Sequence, residues 1–588
     1  MSEGSYRGIA WRTGGSGALL ASVLLALAPS QAQARETVAH THVPAPDVPH
    51  EIAVPGPDEV GPDVFTAAAG VPFSPPSDPQ VGDSWVWWLW VHDPMPPHFE
   101  QAVCTVRGMS GHAYVVVRDE EWLVSVDQAD VDMILERWEN SSIGPWPSRG
   151  IYENDSLAFG APPDALDEDP RIYLVWFDFG IASDGFFFWF DEYPDGAYPQ
   201  YHSNECEALY LNPYSSGGPS GNYMLAVAAH EFEHMIHWNH DDNEESWVDE
   251  GMAEMGMWLY GAPDNISSFN SNPDNTLTSW TGAWADYIKT YLWSLYFYER
   301  YGGLQSLYDV VHEPANSVQG YENVLDALGY PADFDDVFAD WIVANYLDDT
   351  TIEDGRFGYE GDDLPAFAVA ATYSAYPVSD VYKTVNHWAA DYYRFQSIGT
   401  LGAIELQFDG ADDNSFAVWG LSLFADGTVE VHRMALDAAT QAGYLILGGF
   451  SDPADKVILA VGSTSATGGT GYYFSALQAT GIEPEEEPGA ILSGLRASPN
   501  PFSSTIGISM DWTEASAAPA VEVFDLGGRL VKRLDPPETT AERAFFEWNG
   551  RGTDGNPSPA GVYIARVSCG GISASIPLML LGTSPGRP

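Results

Sequence analysis

The sequence predicts a multidomain fold, in which an α+β domain is followed by a β-sandwich and then by a second, C-terminal β-sandwich. The 588 residues exceed the size of one ordinary hydrophobic core. Hydrophobic periodicity passes from strands to helices within 81–352 and returns to short strands within 353–481. A linker rich in Pro and Glu, 482–490, then separates a final segment, 491–583, that has the size of one small domain.

Strand-like apolar runs come first in the α+β domain, and helical patterns follow them. The predicted strands are 85–91, 113–117, 171–177 and 208–211. The predicted helices are 223–238, 247–258 and 287–301, with two more before Tyr346. In the accessory sandwich, the predicted strands are 403–408, 444–447 and 457–461.

The chain is strongly acidic, with 84 Asp and Glu residues against 23 Lys and Arg residues. A formal net charge of -61 argues against nucleic acid and against anionic membrane surfaces as partners. We attribute most of this charge to solubility. The acidic loop Asp164, Asp167, Glu168 and Asp169 also offers Ca²⁺ ligands, but it lacks EF-hand spacing, so a solvated loop is the preferred interpretation.

The first 34 residues have the features of an export signal. Arg7 and Arg12 precede an apolar run, 17–28, and residues 32–34 read Ala-Gln-Ala, which is typical of a cleavage site. The run is too short to span a bilayer, which disfavours an N-terminal anchor. We therefore expect a secreted or cell-surface protein, in which the Pro-rich segment 35–80 is a linker or a pro-segment.

The cysteines do not form a disulfide framework, because the chain has only Cys104, Cys206 and Cys569. Cys104 and Cys206 fall within one predicted domain and form the plausible pair in an exported protein. Two buried free thiols are the alternative.

The strongest functional signal is the HExxH array formed by residues 230–234. His230 and His234 are one helical turn apart, so both imidazoles can bind one cation. Glu231 lies roughly 100° further round the helix, where it can contact a metal-bound water rather than the metal. Zinc accepts such ligands and keeps one position open in catalytic sites. The array therefore predicts one catalytic Zn²⁺, with Glu231 as the general base.

A second predicted helix carries Glu250, sixteen residues after His234, and Glu254 one turn later. One of two such carboxylates can bind zinc while the other accepts a hydrogen bond from a ligand histidine. Glu250 and Glu254 are the candidates for the third ligand and for the outer partner. An exposed helix charge is the alternative for Glu250, which its neighbours Trp247 and Met252 disfavour.

These two stretches resemble the active site of the gluzincin metallopeptidases, in which a glutamate ligand follows HExxH on a later helix. Residues 247–251, Trp-Val-Asp-Glu-Gly, are similar to the W-L-N-E-G of the aminopeptidase N group and of secreted hyicolysin-like peptidases. Residues 249–254 also resemble the N-E-x-x-S-D of thermolysin-like enzymes, which implies that Glu254 orients His230. The resemblance covers roughly 100–350 and implies a zincin-like catalytic domain. Asp249 departs from the usual Asn.

The resemblance implies two further features of the active site. Tyr287 begins a segment similar to Y-x-K-G, which implies that it stabilises the oxyanion of the tetrahedral intermediate; a core tyrosine is the alternative. The strand 208–211 precedes the zinc helix, and we expect it to be the edge strand that pairs with the substrate backbone.

His240 is a rival third ligand, because His230, His234 and His240 have the spacing of the metzincin motif HExxHxxGxxH. That motif needs glycine at the position of His237, where a larger residue is strained. His237 itself lies about 10 Å along the helix from His230, too far to share one ion. Glu250 is therefore the preferred ligand.

The final segment carries alternating strands with Asp-Gly turns, which predict an immunoglobulin-like sandwich. Its Ser-Pro-Asn-Pro-Phe opening at 498–502 and its strand at 521–526 resemble the flagellar-hook-cap immunoglobulin-like domain. The segment is also similar to C-terminal sorting domains of type IX secretion. This implies the secretion machinery or the cell surface as a partner.

Taken together, the motifs predict a secreted zinc-dependent endopeptidase that cleaves proteins or peptides by attack of a zinc-bound water. One alternative is an aminopeptidase of the same clan, which would need an acidic anchor for the substrate amine. The other is a non-catalytic surface adhesin on a peptidase scaffold. Glu231 disfavours the adhesin, because binding alone needs no general base.

Overall fold

A computed structural model describes 63–65 and 70–479, except residues 94, 165, 168, 182, 362 and 363. Between 496 and 580 it describes all residues except 499–501, 503, 512–518, 526–528, 535–537, 540–542, 554, 560, 570 and 571. The predicted export signal, most of the Pro-rich segment and the linker 482–490 lie outside the described residues.

The described residues up to Leu347 form a seven-stranded mixed sheet and eight α-helices. The strands are β1 (Val64–Phe65), β2 (Ser84–Val91), β3 (His98–Met109), β4 (Ala113–Arg118), β5 (Ile172–Trp176), β6 (Gly185–Phe187) and β7 (Ala208–Leu211). The helices are α1 (Gln128–Glu139), α2 (Ile151–Ala158), α3 (Asn222–His240), α4 (Ser246–Tyr260), α5 (Trp284–Arg300), α6 (Leu304–Val311), α7 (Val318–Leu328) and α8 (Phe334–Leu347).

The sheet has the order β1-β3-β4-β5-β7-β6, and β2 also pairs with β3. Strands β4, β5 and β7 are parallel, and α1 and α2 lie in the crossover from β4 to β5. The sequence placed all the strands before the helices, so this part of the prediction is wrong. Asp127 directly precedes helix α1 and caps it through a local capping box with Asp130.

Both faces of the sheet are covered, so its central strands are apolar on both sides. On β4, Val115 and Val117 belong to the core that the helices cover, whereas Tyr114 and Val116 face an aromatic core that includes residues of β2. Helix α3 packs between the sheet and α4. Its residues from Met224 to His237 are buried as a result, and polar side chains in that stretch are withdrawn from water.

The strand 208–211 is not an edge strand, so this expectation is wrong. It forms β7, which pairs with β5 on one side and with β6 on the other. Strand β6 ends the sheet, and no described strand pairs with its other edge. It has only three residues, Gly-Phe-Phe, which are too few to show the alternation that identifies a strand in a sequence.

A two-sheet sandwich follows. Its strands are β8 (Ala371–Tyr373), β9 (Val378–Thr384), β10 (Ala390–Gln396), β11 (Ala403–Gly410), β12 (Phe416–Leu423), β13 (Val429–Arg433), β14 (Ala442–Gly448), β15 (Lys456–Ser463) and β16 (Gly471–Gln478). The sheet orders are β13-β12-β15-β10-β8 and β14-β11-β16-β9. The five-stranded sheet packs against α8, where the Tyr392 hydroxyl donates to the Ile342 carbonyl at 2.6 Å. It shares one continuous core with the helices.

The last described part forms two four-stranded sheets, β17-β18-β22-β21 and β20-β19-β23-β24. Its strands are β17 (Arg496–Ser498), β18 (Ile506–Asp511), β19 (Ala520–Asp525), β20 (Leu530–Arg533), β21 (Glu538–Thr539), β22 (Arg543–Trp548), β23 (Gly561–Cys569) and β24 (Ile572–Leu580). Trp548 and Tyr563 meet in its core, with ring centroids 5.0 Å apart.

Cys104 on β3 and Cys206 just before β7 are free thiols, and both are buried. The structure therefore has the two buried free thiols rather than the Cys104–Cys206 disulfide. None of the helices in the described part of the chain has both the length and the apolar character that crossing a bilayer requires.

Candidate metal centre

Helix α3 presents two histidines from successive turns of one face. The Nε2 atoms of His230 and His234 lie 3.1 Å apart, although the rings are nearly perpendicular. Both side chains are buried, with 1% exposure for His230 and 5% for His234. The helix therefore brings two ring nitrogens to one enclosed point, as its 3.6-residue repeat predicts.

Helix α4 brings Glu250 to the same point. Its Oε2 lies 3.5 Å from His230 Nε2 and 3.9 Å from His234 Nε2. The two helices can approach closely because Gly256 of α4 faces the backbone of α3, where an added Cβ would lie 2.9 Å from the Ala229 carbonyl oxygen. Glu250 is thus placed by backbone packing rather than by a flexible loop.

The three ligand atoms fit a small tetrahedral cation. Ligands at the zinc distances of about 2.0–2.1 Å would be separated by about 3.3 Å in a tetrahedron. The observed separations of 3.1, 3.5 and 3.9 Å scatter around this value. Glu250 Oε2 is buried and faces only the two imidazoles, so a cation held between them would also balance the charge of this carboxylate.

Carboxylates lie beside the opposite nitrogens of the two histidines. Glu254 Oε1 is 3.4 Å from His230 Nδ1, and Asp249 Oδ1 is 3.2 Å from His234 Nδ1. A carboxylate at Nδ1 holds the proton there and leaves Nε2 as the lone-pair donor. Glu254 thus lies beside His230, the histidine that it is predicted to orient. The sequence did not predict the position of Asp249 beside His234, because Asp249 differs from the Asn that is usual in the motif.

The carboxyl group of Glu231 lies against the edge strand β6. The side chain is fully buried, and burial raises its pKa, while the charges of His230 and His234 and the Phe187 backbone N–H oppose this rise. A Cβ added at Gly185 would stand 3.0 Å from Glu231 Oε1. Gly185 therefore makes the space that this carboxylate occupies.

A second cluster, with two buried members and one half-buried member, adjoins the first. Ligand-type atoms of Glu233, His237 and Asp249 lie within 4.8 Å of one another, and Asp249 Oδ1 is 3.3 Å from His237 Nδ1. Burial lowers the pKa of His237, but the Glu233 and Asp249 charges outweigh it and raise the pKa to about 9. Asp249 thus lies between His234 and His237. Its carboxylate connects this cluster to the group formed by His230, His234 and Glu250.

His240, the rival ligand, points elsewhere. Its Nε2 lies 3.1 Å from the Ala161 carbonyl oxygen, and its ring lies against that of His312, with centroids 3.8 Å apart and the rings tilted by 33°. It belongs to none of the groups of metal-type ligands found among the described residues.

Tyr287 of α5 lies beside the centre. Its ring centroid is 6.4 Å from that of His230 and 4.7 Å from that of Trp280. The side chain is buried. The neighbouring Lys289 is turned away into a buried ion pair with Asp286 at 2.6 Å. The structure thus places the tyrosine ring near His230 and within an aromatic core, so both its predicted role and the core-tyrosine alternative stay open.

Residues 501–570 match the FlgD Ig-like domain family, which confirms the predicted flagellar-hook-cap immunoglobulin-like domain. The chain is a multidomain protein of mixed α and β structure with this domain near its C-terminus. No curated protein matches the chain.

Several solved structures resemble parts of the chain. PorZ, an essential bacterial surface component of the type-IX secretion system of Porphyromonas gingivalis, is 24% identical over 18% of this chain, with a TM-score of 0.13. The match spans only 14% of the PorZ chain. A DUF4785 family protein from Legionella pneumophila is 9% identical over 38% of this chain and 71% of its own, with a TM-score of 0.15. At these TM-scores the similarities identify no shared overall fold.

Proposed function

We propose that the protein is a secreted zinc-dependent endopeptidase. The observation that carries this proposal is the convergence of His230, His234 and Glu250 around one buried point, with Glu231 on the same helix as the histidines. Two imidazoles and one carboxylate are a donor set that zinc uses in catalytic sites, where a fourth position stays open.

The chain's own residues can perform the proton transfers that peptide hydrolysis needs. Zinc held by the three ligands would supply a Lewis acid that lowers the pKa of a coordinated water. Glu231 takes the proton from the attacking water and delivers it to the leaving amine. Its raised pKa brings this carboxyl closer to neutral pH, where a group that accepts and then returns a proton works best. Glu254 and Asp249 keep the histidines in the ligand orientation.

Strand β6 gives the proposed enzyme a place for substrate. Its outer edge pairs with no described strand, so an extended peptide can add there as a further strand. The Phe187 N–H and Gly185 of this strand lie against Glu231, so a peptide paired with β6 passes beside the general base. Tyr287 is the proposed donor to the oxyanion.

Hydrolysis of casein by the purified full chain tests this function. We expect cleavage that stops when a chelator removes zinc and returns when one equivalent of zinc is restored. A free peptide and its N-acetylated form should be cleaved at similar rates, because no free amine is needed by an endopeptidase. Cleavage of the free peptide alone would identify an aminopeptidase, and inert protein without zinc would favour the adhesin.

Replacing Gly185 by Ala should lower kcat/KM for peptide cleavage by up to about 10-fold, because the Glu231 carboxyl has to move by a few tenths of an ångström, and a misplacement of about 1 Å can cost about 100-fold. The added Cβ would lie 3.0 Å from Cγ and Oε1 of Glu231 and from Cγ1 of Val227, so the base must move. The control is Gly448→Ala on β14, where the nearest atom to the added Cβ is Ala403 Cβ at 3.7 Å. Equal activities of the two variants would contradict this account.

Zinc uptake should release about one proton per ion between pH 7 and 9. Burial lowers the pKa of His230, but hydrogen bonding with Glu250 and Glu254 prevails and raises the pKa to about 10, so the metal-free histidine is protonated in this range. The apparent zinc affinity should therefore rise about tenfold per pH unit. Calorimetric titration in two buffers with different ionisation enthalpies measures the release, and a proton count of zero would contradict the prediction.

The raised pKa of His230 also makes the stability of the zinc-free protein depend on pH. A histidine whose pKa is higher in the folded than in the unfolded state stabilises the fold below its unfolded pKa of about 6.5. This contribution is lost as the pH rises through the folded pKa of about 10. The Tm of the chelated protein should accordingly fall between pH 7 and 10.

A further inference from the structure

Three carboxylates outside helices α3 and α4 meet where the loop before β5 passes the start of β7. They belong to Asp164, Asp167 and Glu207, and one oxygen from each lies within 4.8 Å of the other two. Oxygens that bind one Ca²⁺ at about 2.3–2.6 Å lie at most about 5 Å apart, so the spacing suits this ion. Glu207 follows Cys206 directly and is far in sequence from the other two.

Glu207 is an unusual member of this cluster because it is buried. Its exposure is 1%, and neither carboxylate oxygen accepts a hydrogen bond from any described residue. A buried carboxylate without a donor or a cation is costly, which requires either a bound ion or a proton at this position. A fourth carboxyl, that of Glu192, is 8% exposed, and its Oε1 likewise accepts no hydrogen bond from the described residues.

No cationic side chain of the described residues pairs with this cluster. Within the described part of the chain, Asp164, Asp167, Glu192 and Glu207 take part in no ion pair with Lys, Arg or His. The nearest basic residue in the sequence, Arg171, is held by Asp169, at 2.6 Å from Nε to Oδ1. Burial, followed by the charge of Asp167, raises the pKa of Glu207 to about 8. Burial and the charge of Glu207 raise that of Glu192 to about 9.

We propose that Asp164, Asp167 and Glu207 form a calcium site. A donor set made only of carboxylate oxygens suits a hard cation and gives zinc none of the nitrogen or sulfur ligands it favours. Ca²⁺ tolerates irregular, flexible oxygen cages, whereas Mg²⁺ demands a nearly ideal octahedron and keeps its waters. Asp164 is exposed, so the ion can enter from solvent, while the buried Glu207 forms the floor of the site.

The sequence favoured a solvated loop for Asp164, Asp167, Glu168 and Asp169. The proposed site instead gives two of these residues, Asp164 and Asp167, the role of calcium ligands. Asp164 and Asp167 point to Glu207, whereas Asp169 accepts hydrogen bonds from Arg171 and from the Tyr114 hydroxyl. Glu168 lies outside the described residues. A bound ion would join the loop to β7, the strand that pairs with β6 and precedes α3. Calcium would therefore stabilise this end of the sheet without taking part in hydrolysis.

Calcium binding by the full chain tests the site. The protein is freed of metal, given one equivalent of zinc, and titrated with CaCl₂ by calorimetry, while Tm is recorded with and without 1 mM Ca²⁺. We expect saturating Ca²⁺ to raise the Tm of the wild type by about 5 °C. Asp164→Asn removes an exposed ligand at little risk to folding. It should weaken binding at this site at least tenfold and abolish most of the Tm rise.

Two further variants serve as a control for nonspecific calcium binding and as a second test of the site. Asp412→Asn removes one charge from an exposed turn of the sandwich and should behave like the wild type, which controls for nonspecific attraction of Ca²⁺ to an acidic protein. Glu207→Gln should also lose the calcium response. A Tm that ignores Ca²⁺, or equal calcium responses of the wild type and Asp164→Asn, would overturn the assignment and indicate carboxyl groups that share a proton. The readouts do not involve hydrolysis, so they are independent of the proposed peptidase activity.

Discussion

The variant Glu231→Gln should retain zinc but lose peptide hydrolysis. Glutamine has nearly the same shape as glutamate, and residue 231 contributes no atom to the three-ligand group, so one zinc per chain should remain. The glutamine side chain, however, cannot accept the proton of the attacking water. Loss of a general base typically costs 10²- to 10⁴-fold, so we expect kcat/KM to fall by about 10³-fold, equivalent to about 4 kcal/mol of transition-state stabilisation.

Zinc content by mass spectrometry and cleavage of a fluorogenic peptide should be measured on the same preparation. The matched control is Glu430→Gln, which makes the same chemical change on the exposed strand β13 of the sandwich and should keep full activity. Full activity of Glu231→Gln would end the proposed mechanism. Loss of zinc from that variant would show that Glu231 holds the metal or its ligands rather than the proton.

Much of the centre could be predicted because it depends on local helical geometry. His230 and His234 share a face at a spacing of four residues wherever the helix forms, and Glu250 and Glu254 repeat that spacing on α4. Local geometry does not determine which faces of two helices pack together. The structure nevertheless places Glu254 3.4 Å from His230, the histidine with which it was predicted to pair. The resemblance to gluzincins supplied this pairing, which periodicity alone does not contain.

The features that the sequence did not reveal depend on contacts between distant segments. The edge position of β6 follows from the order of strands in the sheet, which no local pattern encodes. The approach of Glu207 to Asp164 and Asp167 likewise joins residues separated by forty or more positions. Asp249 was visible in the sequence, but only the packing of α4 on α3 shows that its carboxylate faces the Nδ1 atoms of two histidines.

Zinc affinity should fall in a graded order across four variants of α3 and α4. Glu250→Gln removes a direct ligand and should weaken binding by more than about 100-fold. Glu254→Gln and Asp249→Asn remove charges beside His230 and His234, and loss of such an outer partner typically costs about 10- to 100-fold. His240→Ala should leave the affinity unchanged, because that side chain contacts Ala161 and His312 instead.

Competition with a chromophoric chelator at fixed pH measures all four affinities on one scale. The order separates two geometries that the sequence alone left in competition, since a third-histidine site would lose zinc in His240→Ala and keep it in Glu250→Gln. Circular dichroism of each zinc-free variant shows whether the helices persist, so that a loss of affinity reports on the ligand rather than on unfolding. Because α3 and α4 pack through Gly256, with no room for a longer side chain, we expect the position of Glu250 to be set by this contact even without metal.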